Sequence, residues 1–118
     1  METNLRIILF ADNNEKRTKG LMFHKPLGMD ECALFFFPQA GKHSFWNKNV
    51  GFPISLIFCD EDGVVSDIKE LKKGQLDSVV PSSYGVKYVI EAHEKFPQKH
   101  NISKGLKINI IGDKVEFE

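Results

Sequence analysis

The sequence predicts a mainly β fold, a sandwich or barrel of short strands with one or two short helices. Short apolar or β-branched runs recur from Leu5 to Phe117, and clusters of Asp, Asn, Gly and Pro separate them. Helical signals are confined to two short segments. A chain of 118 residues with 42% hydrophobic and 27% charged residues has enough apolar surface for one core, so one β-rich domain is expected over residues 1–118. Ten phenylalanines against one tryptophan and two tyrosines suit strand interiors.

Leu5 to Phe10 is the first expected strand. Asp12-Asn13-Asn14-Glu15 reads as a capping box, with Asp12 as N-cap and Glu15 reaching back. It opens a helix from Asn13 to Lys19, with Gly20 as its left-handed stop. The stretch from His24 to Glu31 is a loop by its Pro and Gly content. Ala33 to Phe37 is a continuous apolar run closed by Pro38, hence a buried strand. Ser44 to Asn47 starts another extended piece, and Ile54 to Cys59 is a strand. Asp60-Glu61-Asp62-Gly63 is a turn, from which Val64 to Lys69 returns as the hairpin partner. Lys72 to Ser83 is loop-like, and Tyr88 to Ala92 is a strand. Phe96 to His100 makes one helical turn led by Pro97, with Asn101 in the positive-φ position after it. Leu106 to Ile111 and Lys114 to Phe117 form a final hairpin about Gly112-Asp113.

Charge and cysteine usage narrow the function classes. Sixteen basic residues balance sixteen acidic ones, so broad attraction to nucleic acid or to an anionic membrane is not expected. Cys32 and Cys59 lie outside any CxxC pattern among apolar neighbours and read as buried free thiols. His24, His43, His93 and His100 show no HxH or HxxxH spacing, so neither a metal nor another cofactor is expected. The acidic turn at 60–63 is too short for a calcium-binding loop. No nucleophile elbow and no glycine-rich phosphate loop is present. The N-terminus METNLRIILF lacks the basic segment, long apolar core and cleavage site of a secretory signal, and no apolar run reaches the roughly 18 residues of a membrane span. The chain as given therefore reads as soluble and cytoplasmic.

The most informative stretch runs from Gly41 to Gly63. It sets the only tryptophan, Trp46, among His43, Asn47, Lys48 and Asn49, just before an apolar strand. Strand alternation puts Trp46 and Lys48 on one face and Phe45, Asn47 and Asn49 on the other. An indole beside an ammonium can hold a small polar ligand, with Lys48 supplying charge, Asn49 orientation and Trp46 an apolar platform. The bland alternative buries Trp46 in the core and uses Asn49 to satisfy loop backbone before the Gly51-Phe52-Pro53 corner.

Three blocks, taken in order, resemble the family called domain of unknown function 192. Arg17-Thr18-Lys19-Gly20-Leu21-Met22-Phe23 is similar to its R-x-x-G-L-M-x-R. Leu34 through Phe45-Trp46-Asn47-Lys48-Asn49 and Pro53 to Gly63 is similar to L-F-x-F … F-W-M-K-N-T-x-x-P-L-D … D-x-D-G, and Tyr88-Val89-Ile90-Glu91 to Y-V-L-E. The resemblance covers roughly residues 5 to 110 and implies a compact, mostly β domain with no established activity and no catalytic residues to carry over. This chain departs from the pattern at Asn47, Val50, Ser55 and Lys95, Ser55 standing where the pattern has Asp. Arg17 and Glu91 belong to the outer blocks, and a barrel can bring them to one rim as an Arg–carboxylate fork that braces the fold or binds a ligand.

The function expected is binding of a small polar ligand or a protein partner at a rim of Trp46, Lys48 and Asn49, with Arg17 and Glu91 nearby. The first alternative is a hydrolase or lyase acting on a small polar substrate, with Glu91 as acid/base and Lys48 as electrophilic stabiliser. The second is a structural or assembly protein. Titratable groups converging in a closed pocket favour a catalyst, an open patch favours a binder, and a hydrophobic surface without a pocket favours assembly.

Overall fold

Seven strands join in one sheet, which a computed structural model describes for residues 3–118. Met1 and Glu2, read above as part of an N-terminus without a secretory signal, lie outside the described residues. The elements are β1 (Thr3–Ala11), α1 (Asn14–Lys19), β2 (Glu31–Gly41), β3 (Ile54–Asp60), β4 (Val65–Leu71), β5 (Val86–His93), α2 (Phe96–Lys99), β6 (Ile108–Ile111) and β7 (Lys114–Phe117). The spatial order is β4-β3-β5-β2-β1-β7-β6. Only β1 and β2 pair in parallel, and α1 belongs to the crossover that parallel pairing requires. All other pairs are antiparallel.

The sheet curls until its two ends touch. Val64 bridges Lys107, the Val65 N–H donates to the Leu106 carbonyl at 2.8 Å, and the Ile108 N–H donates to the Gly63 carbonyl at 2.8 Å. This curl settles the sandwich-or-barrel alternative in favour of a barrel-like sheet. Gly63 is where the contact becomes tight, because a Cβ there would lie 3.1 Å from the Ile108 carbonyl oxygen. Its φ of 78° also suits the Asp60–Gly63 turn, in which Asp60 Oδ1 accepts the N–H groups of Asp62 and Val64 at 2.9 Å each.

Both faces of the central strands are covered, which is why β2, β3 and β5 read as continuous apolar runs rather than alternating ones. One face carries Ala33, Phe35, Leu56, Phe58 and Val89 under Leu21, Leu27, Phe45, Val50 and Phe52. The other carries Cys32, Leu34, Ile57, Cys59, Ile90 and Ala92 against Phe96, Ile102, Val115 and Phe117. Each large side chain buried this fully contributes about 1.5–3 kcal/mol of transfer free energy.

Three local expectations need correction. The cap of α1 is Asn13, whose Oδ1 accepts the Lys16 N–H at 2.8 Å, rather than Asp12 with Glu15 reaching back. β1 runs on through Ala11, so Asp12 is left as the link between strand and cap. Pro38 does not close β2, which continues to Gly41. The β1 ladder has already ended at Phe35 and the β5 register slips between Phe36 and Gly41, so no ladder bond needs a donor at Pro38. Gly20 takes φ 48° and ψ −129°, so the expected positive φ is present but the left-handed helical conformation is not. The later expectations hold closely: Pro97 sits in the first turn of α2, Asn101 has φ 54°, and β6 and β7 form the closing hairpin, with β6 starting at Ile108 rather than Leu106.

Candidate functional site

The loop from Ser44 to Val50 keeps strand-like alternation for four residues and then turns. Phe45 faces in, Trp46 out, Asn47 in and Lys48 out. Phe45 is extended and pairs with Val79 through two backbone bonds of 2.8 and 2.9 Å. Its ring packs edge-on against Phe35 at 5.2 Å and against Phe58 at 6.1 Å. The core position in this segment therefore belongs to Phe45, while Trp46 remains 43% exposed. Lys48 Nζ lies 5.4 Å from the Trp46 ring centroid, a cation–π contact that holds an ammonium over one face of the indole. Asn49 then turns the chain with φ 59°.

Asn47 is the structural anchor of this loop. Its N–H donates to the Gln75 carbonyl at 2.7 Å, and its Nδ2 donates to the carbonyls of Phe52 and Lys72 at 2.9 Å each. These bonds fix the amide orientation and leave Oδ1 buried without a partner among the described residues. A buried acceptor in that state costs about 1–3 kcal/mol.

Helix α1 forms the facing wall. Arg17 donates from Nη1 to the Phe36 carbonyl and from Nη2 to Asn14 Oδ1, both at 2.7 Å, and its guanidinium lies 5.3 Å from the Phe37 ring centroid. Beyond it, Gly20 holds a positive φ of 48° that favours glycine, and a Cβ there would make only ordinary contact with the Phe35 ring at 3.4 Å. Beneath both walls is Glu91, on the central strand β5 between Ala33 of β2 and Leu56 of β3. Its carboxyl is buried and makes no hydrogen bond or ion pair with any described residue. Burial in this apolar setting pushes its pKa up to about 8, so the neutral acid predominates at neutral pH.

Between these walls is a cavity of about 350 Å³. Trp46, Lys48, Arg17 and Glu91 line it together, whereas Asn49 does not. Asn49 instead contributes its carbonyl to the Phe23 N–H at 2.8 Å. The anticipated Arg17–Glu91 fork is absent, because the bonds of Arg17 go to Phe36 and Asn14. Sequence reasoning missed Asn14, Thr18, Lys19, Ser44 and Asn47, which also line the cavity. Alternation already put Asn47 on the same face as Phe45, and that was the available signal. Ser55 pairs with Ala92, lies on the sheet face opposite Glu91 and donates to the Glu94 carbonyl at 2.9 Å, so the departure at that position does not touch the cavity.

Cys32 and Cys59 are buried and not linked by a disulfide. No group of three or more His, Cys, Asp or Glu able to hold a metal occurs among the described residues. No helix among them is long and apolar enough to cross a membrane.

The sequence model of domain of unknown function 192, described as Uncharacterized ACR, matches residues 3–110. Two crystal structures are similar in fold. One, of a protein of unknown function from Novosphingobium aromaticivorans DSM 12444, superposes with a TM-score of 0.81 at 24% identity over 86% of this chain and 72% of that one. The other, of a candidate transcription regulator from Sinorhizobium meliloti 1021, gives 0.77 at 23% identity over 89% of this chain and 90% of that one. No curated protein matches the chain.

Proposed function

The chain belongs to the family called domain of unknown function 192, and within that family we propose that it is a binding module that takes a small polar ligand in the cavity between α1, the 44–50 loop and the sheet. One observation carries this reading. The Glu91 carboxyl lines the cavity and is hydrogen-bonded to no described residue, beneath an exposed indole–ammonium pair. A polar group left in that state is costly, and a ligand that hydrogen-bonds to it recovers part of the cost. The volume lies at the low end of the range of small-molecule sites, about 300–1,000 Å³, which suits a ligand no larger than a monosaccharide or an amino acid.

Trp46 is the only tryptophan and lines the cavity, so its fluorescence reports occupancy directly. A small-molecule screen is expected to yield compounds that change Trp46 emission saturably and raise the thermal midpoint. Thr18→Phe, which places a ring at the cavity wall from an exposed helical position, should abolish both responses. Saturable binding that survives Thr18→Phe would move the ligand elsewhere and remove this reading.

The enzyme alternative draws support from Glu91, because a carboxyl pushed up to about 8 is poised as a general acid near neutral pH. Against it, the cavity lining includes no histidine, no cysteine and no second carboxyl to complete an acid/base pair. Turnover of a hydrolysable substrate by the protein, lost in Glu91→Gln, would reverse the order of the two readings.

A further inference from the structure

The charged groups of the cavity are strongly one-sided. Arg17, Lys19 and Lys48 line it, and Glu91 is the only acidic side chain that does. The chain as a whole carries sixteen basic and sixteen acidic residues, so this asymmetry is local. It is also graded with depth. Lys19 and Lys48 are exposed and Arg17 is half-buried, whereas Glu91 and Asn47 are buried. Cations therefore surround the mouth, and the buried Glu91 carboxyl lies at the floor. Low-dielectric walls concentrate the field of such a cluster into the cleft.

Resting on the binding reading above, we propose that the ligand is a small hydroxylated organic anion, a carboxylate or a phosphate monoester. Its charged end meets Lys48, Lys19 and Arg17 at the mouth, and its hydroxyl end reaches Glu91. Each part of this description follows from a different observation. The anion follows from three cations against one carboxyl. The hydroxyls follow from the floor, where Glu91 lines the cavity without a described partner and, protonated, both donates and accepts. The organic body follows from a volume of about 350 Å³ and from the apolar walls of Leu21, Phe35 and Phe45, more room than an inorganic ion fills. A cationic ligand would meet repulsion at the mouth and would require ionised Glu91 in an apolar setting.

The indole has a specific part in this arrangement. With the ammonium of Lys48 held over its ring at 5.4 Å, Trp46 orients the cation that meets the anion. Trp46 emission should therefore respond when the anion engages Lys48.

The test is a matched hexose series read by Trp46 fluorescence and thermal midpoint at low ionic strength: glucose, glucosamine, glucuronate and glucose 6-phosphate, with inorganic phosphate alongside. At least one of the two sugar anions should saturate with a Kd about tenfold or more below that of glucose, a difference of about 1.4 kcal/mol, within concentrations of about 10 mM. Added salt should weaken it. Lys48→Met with Lys19→Met should weaken it by about tenfold while leaving the unliganded midpoint unchanged, since both side chains are exposed. Glucose or glucosamine binding as tightly as the anions would overturn the charge assignment and leave the binding reading standing. Inorganic phosphate matching glucose 6-phosphate would overturn the organic body. No saturable response from either sugar anion would remove the ligand class and leave the binding reading to the wider screen and its Thr18→Phe control.

Discussion

Asn47 Nδ2 donates to the carbonyl of Lys72 at 2.9 Å, joining two loops that are 25 residues apart in the chain. The same nitrogen holds the Phe52 carbonyl, and the Gly74 N–H donates to the Val50 carbonyl at 3.0 Å beside it. One amide thus ties the cavity loop to the 72–75 turn.

Asn47→Ala should orphan the buried Phe52 carbonyl and the part-buried Lys72 carbonyl and cost about 1–3 kcal/mol in a denaturant melt. Asn49 should behave differently, because its side chain makes no hydrogen bond to any described residue and its backbone holds φ 59°. Asn49→Gly should be nearly neutral, and Asn49→Ala should cost about 1 kcal/mol for the left-handed backbone. Equal losses at both positions would show that the amide of Asn47 has no special anchoring role.

These two asparagines also show where sequence reading reached its limit. Period-2 alternation correctly put Phe45 and Asn47 on one face and Trp46 and Lys48 on the other, since nothing interrupts an extended backbone there, but it did not say which face is buried. It failed at Asn49 because a left-handed residue breaks the alternation, and Asn is one of the few side chains that tolerates that conformation. The mainly β class and the closing hairpin were legible because turn chemistry and β-branched runs are local signals. The passage of β2 through Pro38 was not, since it depends on where the ladders from β1 and β5 stop. The cavity was legible only in part. Trp46, Lys48, Arg17 and Glu91 could be named, but the Arg17–Glu91 pairing could not be judged without knowing that the Phe36 carbonyl competes for the guanidinium.

Trp46 and Phe45, adjacent in sequence, should differ sharply in what they contribute to stability. Phe45→Ala removes a ring packed against Phe35 and Phe58 and should cost about 3–5 kcal/mol. Trp46→Ala removes a half-exposed indole and its contact with Lys48 and should cost about 1 kcal/mol. Lys48→Met should stay within about 0.5 kcal/mol. Denaturant midpoints of the three variants measure this order, and a Trp46 loss equal to that of Phe45 would return the indole to the core.

Cys32 and Cys59 should be chemically silent in the native protein. Burial pushes both thiols up to about 12, with Asp60 adding to the effect at Cys59, so almost no thiolate exists at neutral pH. A thiol reagent such as DTNB should find no reactive cysteine before denaturation and two after it, without added reductant. Fast native labelling of either cysteine would mean that the face of the sheet holding Leu34, Ile57 and Ile90 opens readily.

Glu91 should leave a distinct signature in the pH dependence of stability. Its pKa is raised from an ordinary 4.5 to about 8 in the folded chain, because burial disfavours the carboxylate. Between these values the unfolded chain has lost this proton while the folded chain still holds it, so folding takes up a proton. The contribution of Glu91 is therefore neutral below about 4.5 and grows more destabilising as pH rises toward 8, with a slope of up to about 1.4 kcal/mol per pH unit. Glu91→Gln imitates the protonated acid and cannot ionise. Subtracting its denaturant stability from that of the unmodified chain at pH values spanning this window cancels the titration of every other group. The difference should favour the variant increasingly as pH rises and level off above the folded pKa. A flat difference would mean that Glu91 ionises normally, through solvent or a cation reaching the cavity floor. The hydroxyl-directed floor inferred for the ligand would then have to be replaced by a charged one.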